Sequence, residues 1–223
     1  VGVHGNLGLE CLDGDALAQY LAAGGDCRRA GSLDLQARFR PDASSPAPAS
    51  WLQADPQRVA AIRADYRARW PGRRLLGLSW RSVRRFEDNK DSKSLPLAAL
   101  RRTLSLPDTR FIDLQYGDFR AETDALAAAG LPAPWRDAAI DPMQDLDGLA
   151  AQLCALDGLV TVSNTTAHLA GALGVPLTVL LPARYPVLWH WCWDGAHTPW
   201  YPSAALLRGP DNNPDAVDAA LAA

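Results

Sequence analysis

LVTVSNTTAHLAGALGVPLTVLLP, Leu159 to Pro182, is the stretch whose reading decides the fold. An apolar run, LVTV, stops at a polar knot, Ser163-Asn164-Thr165-Thr166. A helical pattern follows, with Leu169, Ala170 and Leu173 on one face. Gly174, with Pro176 just beyond, is a usual helix stop. A second apolar run, LTVLLP, closes a strand–helix–strand unit. The helix of such a unit starts at the carboxyl end of a parallel strand, where open α/β sheets bind ligands. Unpaired N–H groups and the positive end of the helix dipole suit a phosphate there. Ser, Asn and Thr are also the ordinary N-cap residues of any helix. His168, one turn in, reads either as a site residue or as a core histidine with a backbone partner.

Outward from this unit, strands and helices alternate. A helix is expected from about Asp55 to Trp70, opened by Asp55-Pro56 and ended before Pro71-Gly72. The pattern predicts strands at LLGLSW (75–80), RFIDLQY (110–116) and AALLRG (204–209). It predicts helices at LPLAALRRTL (95–104), AETDALAAAG (121–130), LDGLAAQLCALDG (146–158) and the closing PDAVDAALAA. This alternation argues for a doubly wound parallel sheet. PDASSPAPAS (41–50) reads as a linker. The expected organisation is a short remnant over 1–40, a linker and connecting helix over 41–72, and an α/β domain over 73–223.

The chain has 223 residues, a net charge of −3 and 48% apolar residues, enough for a real core. No apolar run approaches the length of a membrane span. The net charge argues against nucleic acid, and no nucleic-acid module is recognisable. Four cysteines without CxxC spacing read as a reducing compartment, with Cys154 a small buried hydrophobe.

Three further places carry chemistry. From Arg73 to Lys93, seven basic residues (Arg73, Arg74, Arg81, Arg84, Arg85, Lys90, Lys93) face three acidic ones (Glu87, Asp88, Asp91), a local charge of +4. This loop follows a strand, so it is expected beside the Thr165-Thr166 knot as a diphosphate site, or else as a solvated charged loop. LQYGD, Leu114 to Asp118, places Gln115 and Tyr116 just past another strand, either to read a base or sugar edge or as turn residues. Trp189, Trp191, Trp193 and Trp200 cluster among His190, Cys192, Asp194 and His197. That spacing matches no usual zinc pattern, so no metal is expected and packing over the sheet edge is favoured. GLSWR is not the nucleophile elbow, because Arg81 stands where the second glycine belongs.

Together, TVSNTTAHLAGALGVP, KSLPL, LQYGD and TPWYPS resemble the C-terminal half of GT-B glycosyltransferases, and most closely family 9, the lipopolysaccharide-heptosyltransferase-like group. The resemblance runs from about Arg29 to the C-terminus. It implies a Rossmann-like domain holding a nucleotide-diphosphate sugar, with the sugar moved to a hydroxyl with inversion. The transfer implied is hexosyl or heptosyl, metal-independent, with no cofactor beyond the nucleotide-sugar co-substrate. By resemblance, Asn164, Thr165, Thr166, Ala167 and His168 line the donor diphosphate, Lys93 and Ser94 approach it from the opposite loop, and Gln115 and Tyr116 lie near the nucleotide. The leaving diphosphate gains charge that N–H groups, hydroxyls and a lysine stabilise.

The implied acceptor is a glycan, a lipid A core-like molecule or a protein. In bacteria such domains are often fused behind tetratricopeptide repeats, so upstream repeats are an implied partner. The implied setting is the cytoplasm or the inner-membrane surface. The family commonly has Asp where this chain has Ser163. Its general base usually comes from the N-terminal domain; His4 is the one candidate in the remnant, and no catalytic residue is assigned. The alternative expectation is a non-catalytic binding or scaffold module that keeps the fold.

Overall fold

Apolar runs too short for helices form a sheet covered on both faces. The computed structural model describes residues 49–82, 93–181, 189–192, 195–209 and 218. The chain divides into two compact units, Val1–Pro46 and Ala47–Ala223. The first unit lies outside the described residues, and with it the expected remnant and His4. So do the basic residues Arg84, Arg85 and Lys90, and all of the closing helix except Asp218.

Helix α1 spans Pro56–Arg69, capped by Asp55, whose side chain accepts from the Gln57 and Arg58 amides. Strand β1 is Arg74–Ser79, and a 3-10 turn at Leu97–Leu100 runs into the short α2, Arg101–Leu104. Strand β2 is Thr109–Asp113, α3 is Arg120–Ala128 and α4 is Leu146–Ala155. Strand β3 (Gly158–Val162), α5 (Thr165–Leu173) and β4 (Leu177–Leu181) form the central unit, and β5 is Ala204–Arg208.

The strands make one parallel sheet in the order β2-β1-β3-β4-β5. Period-two alternation sends Leu75, Leu159 and Val179 to one core, with α1, α4 and α5 on that side. It sends Leu76, Val160 and Leu180 to the other, with α2 and α3. Burial on both faces explains why β3 is apolar throughout rather than alternating.

Three boundaries differ from expectation. The 95–104 helix starts as a 3-10 turn, because the Leu97 amide is held by Glu122 Oε2 at 2.7 Å. The 110–116 strand ends at Asp113, whose Oδ1 takes the Gln115 amide at 2.8 Å and turns the chain. The 146–158 helix ends at Ala155, because residues 158–162 are already strand.

The segment before α1 is laid against α5. The Trp51 and Leu52 amides both donate to the Ala172 carbonyl, at 2.9 and 3.0 Å. Gly174 caps α5 at φ +73°, and a Cβ there would lie 2.8 Å from the Ala49 carbonyl. Trp51 packs on Tyr201 with ring centroids 5.4 Å apart.

Candidate functional site

The chain leaves β1 leftward to β2, then returns to β3 on the other side of β1. The crevice between the carboxyl ends of β1 and β3 is therefore a topological switch point, where sheets of this order bind ligands. Asn164 sits there, 6% exposed. Its Oδ1 caps α5 by accepting from the Ala167 amide at 3.1 Å. Its Nδ2 donates to Ser79 Oγ at 2.8 Å and to the Arg81 carbonyl at 3.1 Å. One amide thus fixes the start of α5 to the end of β1.

Gln115 does the same between β2 and β1. It is 1% exposed. Its Oε1 accepts from Ser79 Oγ and from the Trp80 and Arg81 amides. Its Nε2 donates to the Tyr116 carbonyl at 2.8 Å. Asn164 and Gln115 are buried and bonded to protein, whereas Tyr116 is half-buried and Thr165 exposed.

Cap geometry leaves donors over. Asn164 serves the Ala167 amide, and the amides of Thr165 and Thr166 make no hydrogen bond among the described residues. Thr166 Oγ1 is buried with no partner among those residues. Across the crevice, the Leu95 amide donates to the Trp80 carbonyl and Ser94 Oγ accepts from the Ser82 amide. These bonds fold Lys93 and Ser94 back over the end of β1.

His168 stacks on Trp191 at 4.8 Å, and its Nδ1 meets the Tyr201 hydroxyl at 2.9 Å. Burial first, then the charges of His190 and Lys93, together lower its pKa to about 4. It is neutral at pH 7, and Lys93 is near enough for its charge to be felt. Trp191 is 0% exposed and donates to Ser163 Oγ at 2.9 Å. Trp191 thus covers the end of β3, as packing over the sheet edge requires. Gly171 gives the Tyr201 ring its seat, since a Cβ there would overlap it.

A cavity of about 540 Å³ opens beside the end of β2. Sequence reasoning missed it. Trp135, reached through a loop, pairs with β2 as a short extra bridge, its amide donating to the Phe111 carbonyl. The next residue, Arg136, pairs with Asp113 at 3.2 Å and donates to the Gln115 carbonyl. Four lining aspartates, Asp113, Asp118, Asp137 and Asp141, each accept the amide two residues on. Asp137 also accepts from the buried Tyr66 hydroxyl at 2.8 Å. Phe119, Ile140 and the exposed Met143 supply apolar wall. The signal in the sequence was the DxR turn at 118–120 and the DP turn at 141–143, which alone read as loop.

No protein-family model matches the chain. It is 35% identical over 173 residues to Protein FlbA of Caulobacter vibrioides, covering 76% of this chain and 28% of that protein. Among solved structures it resembles E. coli ADP-heptose LPS heptosyltransferase II, with TM-score 0.52 and 18% identity over 79% of this chain and 55% of that one. A glycosyl transferase family 9 protein from Veillonella parvula aligns at TM-score 0.49 and 14% identity, over 73% of this chain and 44% of that one. The chain therefore has a glycosyltransferase-like fold and spans about half of the heptosyltransferase it matches. Among the described residues, no helix is long and apolar enough to cross a membrane.

Proposed function

We propose that this chain is the donor-binding half of a glycosyltransferase that takes a nucleotide-diphosphate sugar. The carrying observation is the row of groups along three adjacent carboxyl ends, β2, β1 and β3. The cavity lies at β2, Lys93 and Ser94 at β1, and the open α5 amides at β3. Adjacent strands are about 5 Å apart, so the row spans about 10 Å, the scale of a nucleoside diphosphate.

In this reading the nucleoside enters the cavity beside Tyr116 and Met143. Asp118 and Asp141 face its hydroxyls as acceptors. The diphosphate crosses to Lys93, Ser94 and the amides and hydroxyls of Thr165 and Thr166. Asn164, Ala167 and Gln115 hold those groups in place, and His168 stays neutral beneath them. As the glycosidic bond breaks, the departing diphosphate gains charge at an ammonium and a helix N-terminus already aimed at it. Inverting transfer to a hydroxyl acceptor, without a metal, follows the heptosyltransferase-like fold by analogy. The upstream repeats and the acceptor belong to the same proposal.

A non-catalytic binding module is the second reading. It is favoured by Ser163, which is 4% exposed and bonded to Trp191, and so presents no charge to a donor.

The test is thermal shift with UDP, ADP, GDP and CDP, wild type beside Thr165→Ala/Thr166→Ala. A nucleotide at a hundred times its Kd should stabilise by about 2.7 kcal/mol. Stabilisation of the wild type by one nucleotide, lost in the double variant, is expected. No shift with any of the four overturns the donor reading.

A further inference from the structure

A second cavity, about 440 Å³, lies at the opposite end of the sheet, where β1 and β2 begin. Its lining includes Trp70, Arg73, Ser105, Thr109 and Arg110, and no Asp or Glu. Arg110 is on β2, its Cα in register with Leu75, and its guanidinium lies 5.4 Å from the Trp70 ring centroid. Trp70 in turn packs edge-on against Trp135 at 5.0 Å, so the platform beneath Arg110 is fixed. Arg73 follows a tight turn through Gly72. Its amide donates to the Trp70 carbonyl at 3.3 Å, and its own carbonyl accepts from Arg67 at 2.8 Å. The Arg110 side chain is therefore held by stacking, and the Arg73 backbone by hydrogen bonds, before any ligand arrives.

The charges are not balanced. Among the described residues, neither Arg73 nor Arg110 pairs with a carboxylate. Arg110 Nε is buried with no hydrogen-bond partner. Burial and the charge of Arg73 both push the Arg110 pKa down, as two cations facing one another without a counter-ion must. Five other described arginines do have a carboxylate partner: Arg58 with Asp145, Arg67 with Asp157, Arg69 with Asp65, Arg81 with Glu122 and Arg136 with Asp113.

We infer that this amino-terminal cavity is an anion site, with Arg73 and Arg110 as its cations and a phosphate, free or as a phosphomonoester, as its ligand. A doubly charged oxyanion matches two guanidinium forks and relieves their mutual repulsion. At the rim the Ser105 and Thr109 hydroxyls donate to the Arg101 and Pro107 carbonyls, which leaves the charge to the two arginines, and Leu104, Leu106, Pro107 and Pro132 leave room for an uncharged body behind the phosphate. The site is separate from the proposed donor crevice and does not depend on it.

The experiment follows the Arg110 Nε–H resonance of the full 223-residue chain by NMR. Inorganic phosphate is titrated at constant ionic strength, with chloride as the control. A saturable shift with phosphate and none with chloride is expected. Arg73→Gln should weaken the apparent affinity about tenfold, the loss of one charge-assisted bond. Thr165→Ala/Thr166→Ala should leave it unchanged. Glucose 6-phosphate replaces phosphate in a second arm; tighter binding assigns the site to a phosphorylated sugar, and equal binding to the free ion. Absence of a saturable shift in the wild type overturns the inference. So does a shift of undiminished affinity in Arg73→Gln.

Discussion

The two ends of one sheet treat charge in opposite ways. At the carboxyl end, polar groups satisfy each other: Asn164 and Gln115 bond across three strands, and four cavity aspartates each hold an amide of their own turn. At the amino end, Arg73 and Arg110 face a cavity with no acid in its lining. Internal bonding makes the first end rigid, so what remains open there (two amides and one hydroxyl) is presented in fixed geometry. The second end is a surplus of charge on one stacked arginine and one held through its backbone.

The largest effect is expected where bonding is densest. Asn164→Ala removes a helix cap and takes a donor from Ser79 Oγ and the shorter of two donors from the Arg81 carbonyl, for a loss of about 3 kcal/mol in urea unfolding. A loss under about 1 kcal/mol would mean that the crevice is not held by this amide.

Next comes pH. The His168 pKa is about 4 folded against 6.5 for the free side chain, so between those values the unfolded chain binds more protons. The contribution to stability is complete above pH 6.5 and is lost as pH falls toward 4. His190, also lowered by burial, acts in the same direction. Urea midpoints across this range should fall more steeply for wild type than for His168→Gln; parallel curves would show that His168 is not the residue responsible.

A smaller effect separates ligand groups from structural ones. Thr166→Val replaces a buried, unbonded hydroxyl by a methyl, so stability should hold or rise by up to about 1 kcal/mol while nucleotide affinity falls. Equal loss of both would make the hydroxyl structural.

The smallest effect belongs to the amino end. Arg73→Gln should move stability by no more than about 0.5 kcal/mol, since no ion pair is broken. A larger loss would show that the charge there is balanced after all, and would erase the contrast between the two ends.

The elements were legible because their signals are local. Asp55-Pro56 and Gly174 mark ends that any reader of caps would place, and β3 and β4 are unbroken apolar runs. The knot at 163–166 was correctly read as a helix start at the carboxyl edge of a parallel sheet. Its division of labour was not readable: which residue caps, which is buried and which is left open depends on Ser79, Arg81 and Trp191, far away in sequence. The cavity beside β2 was invisible for the same reason. It exists because Trp135 and Asp137 reach back to β2 and Tyr66, contacts that no local pattern encodes.

The strap formed by Ala49 to Leu52 sets where the folding unit can be cut. A protein begun at Ser50 retains both amides on the Ala172 carbonyl and the Trp51–Tyr201 packing; one begun at Ala54 keeps every described helix and strand yet leaves the tail of α5 bare. Limited proteolysis within this strap would loosen the far end of the helix whose first turn faces the crevice, although no residue of the crevice is severed.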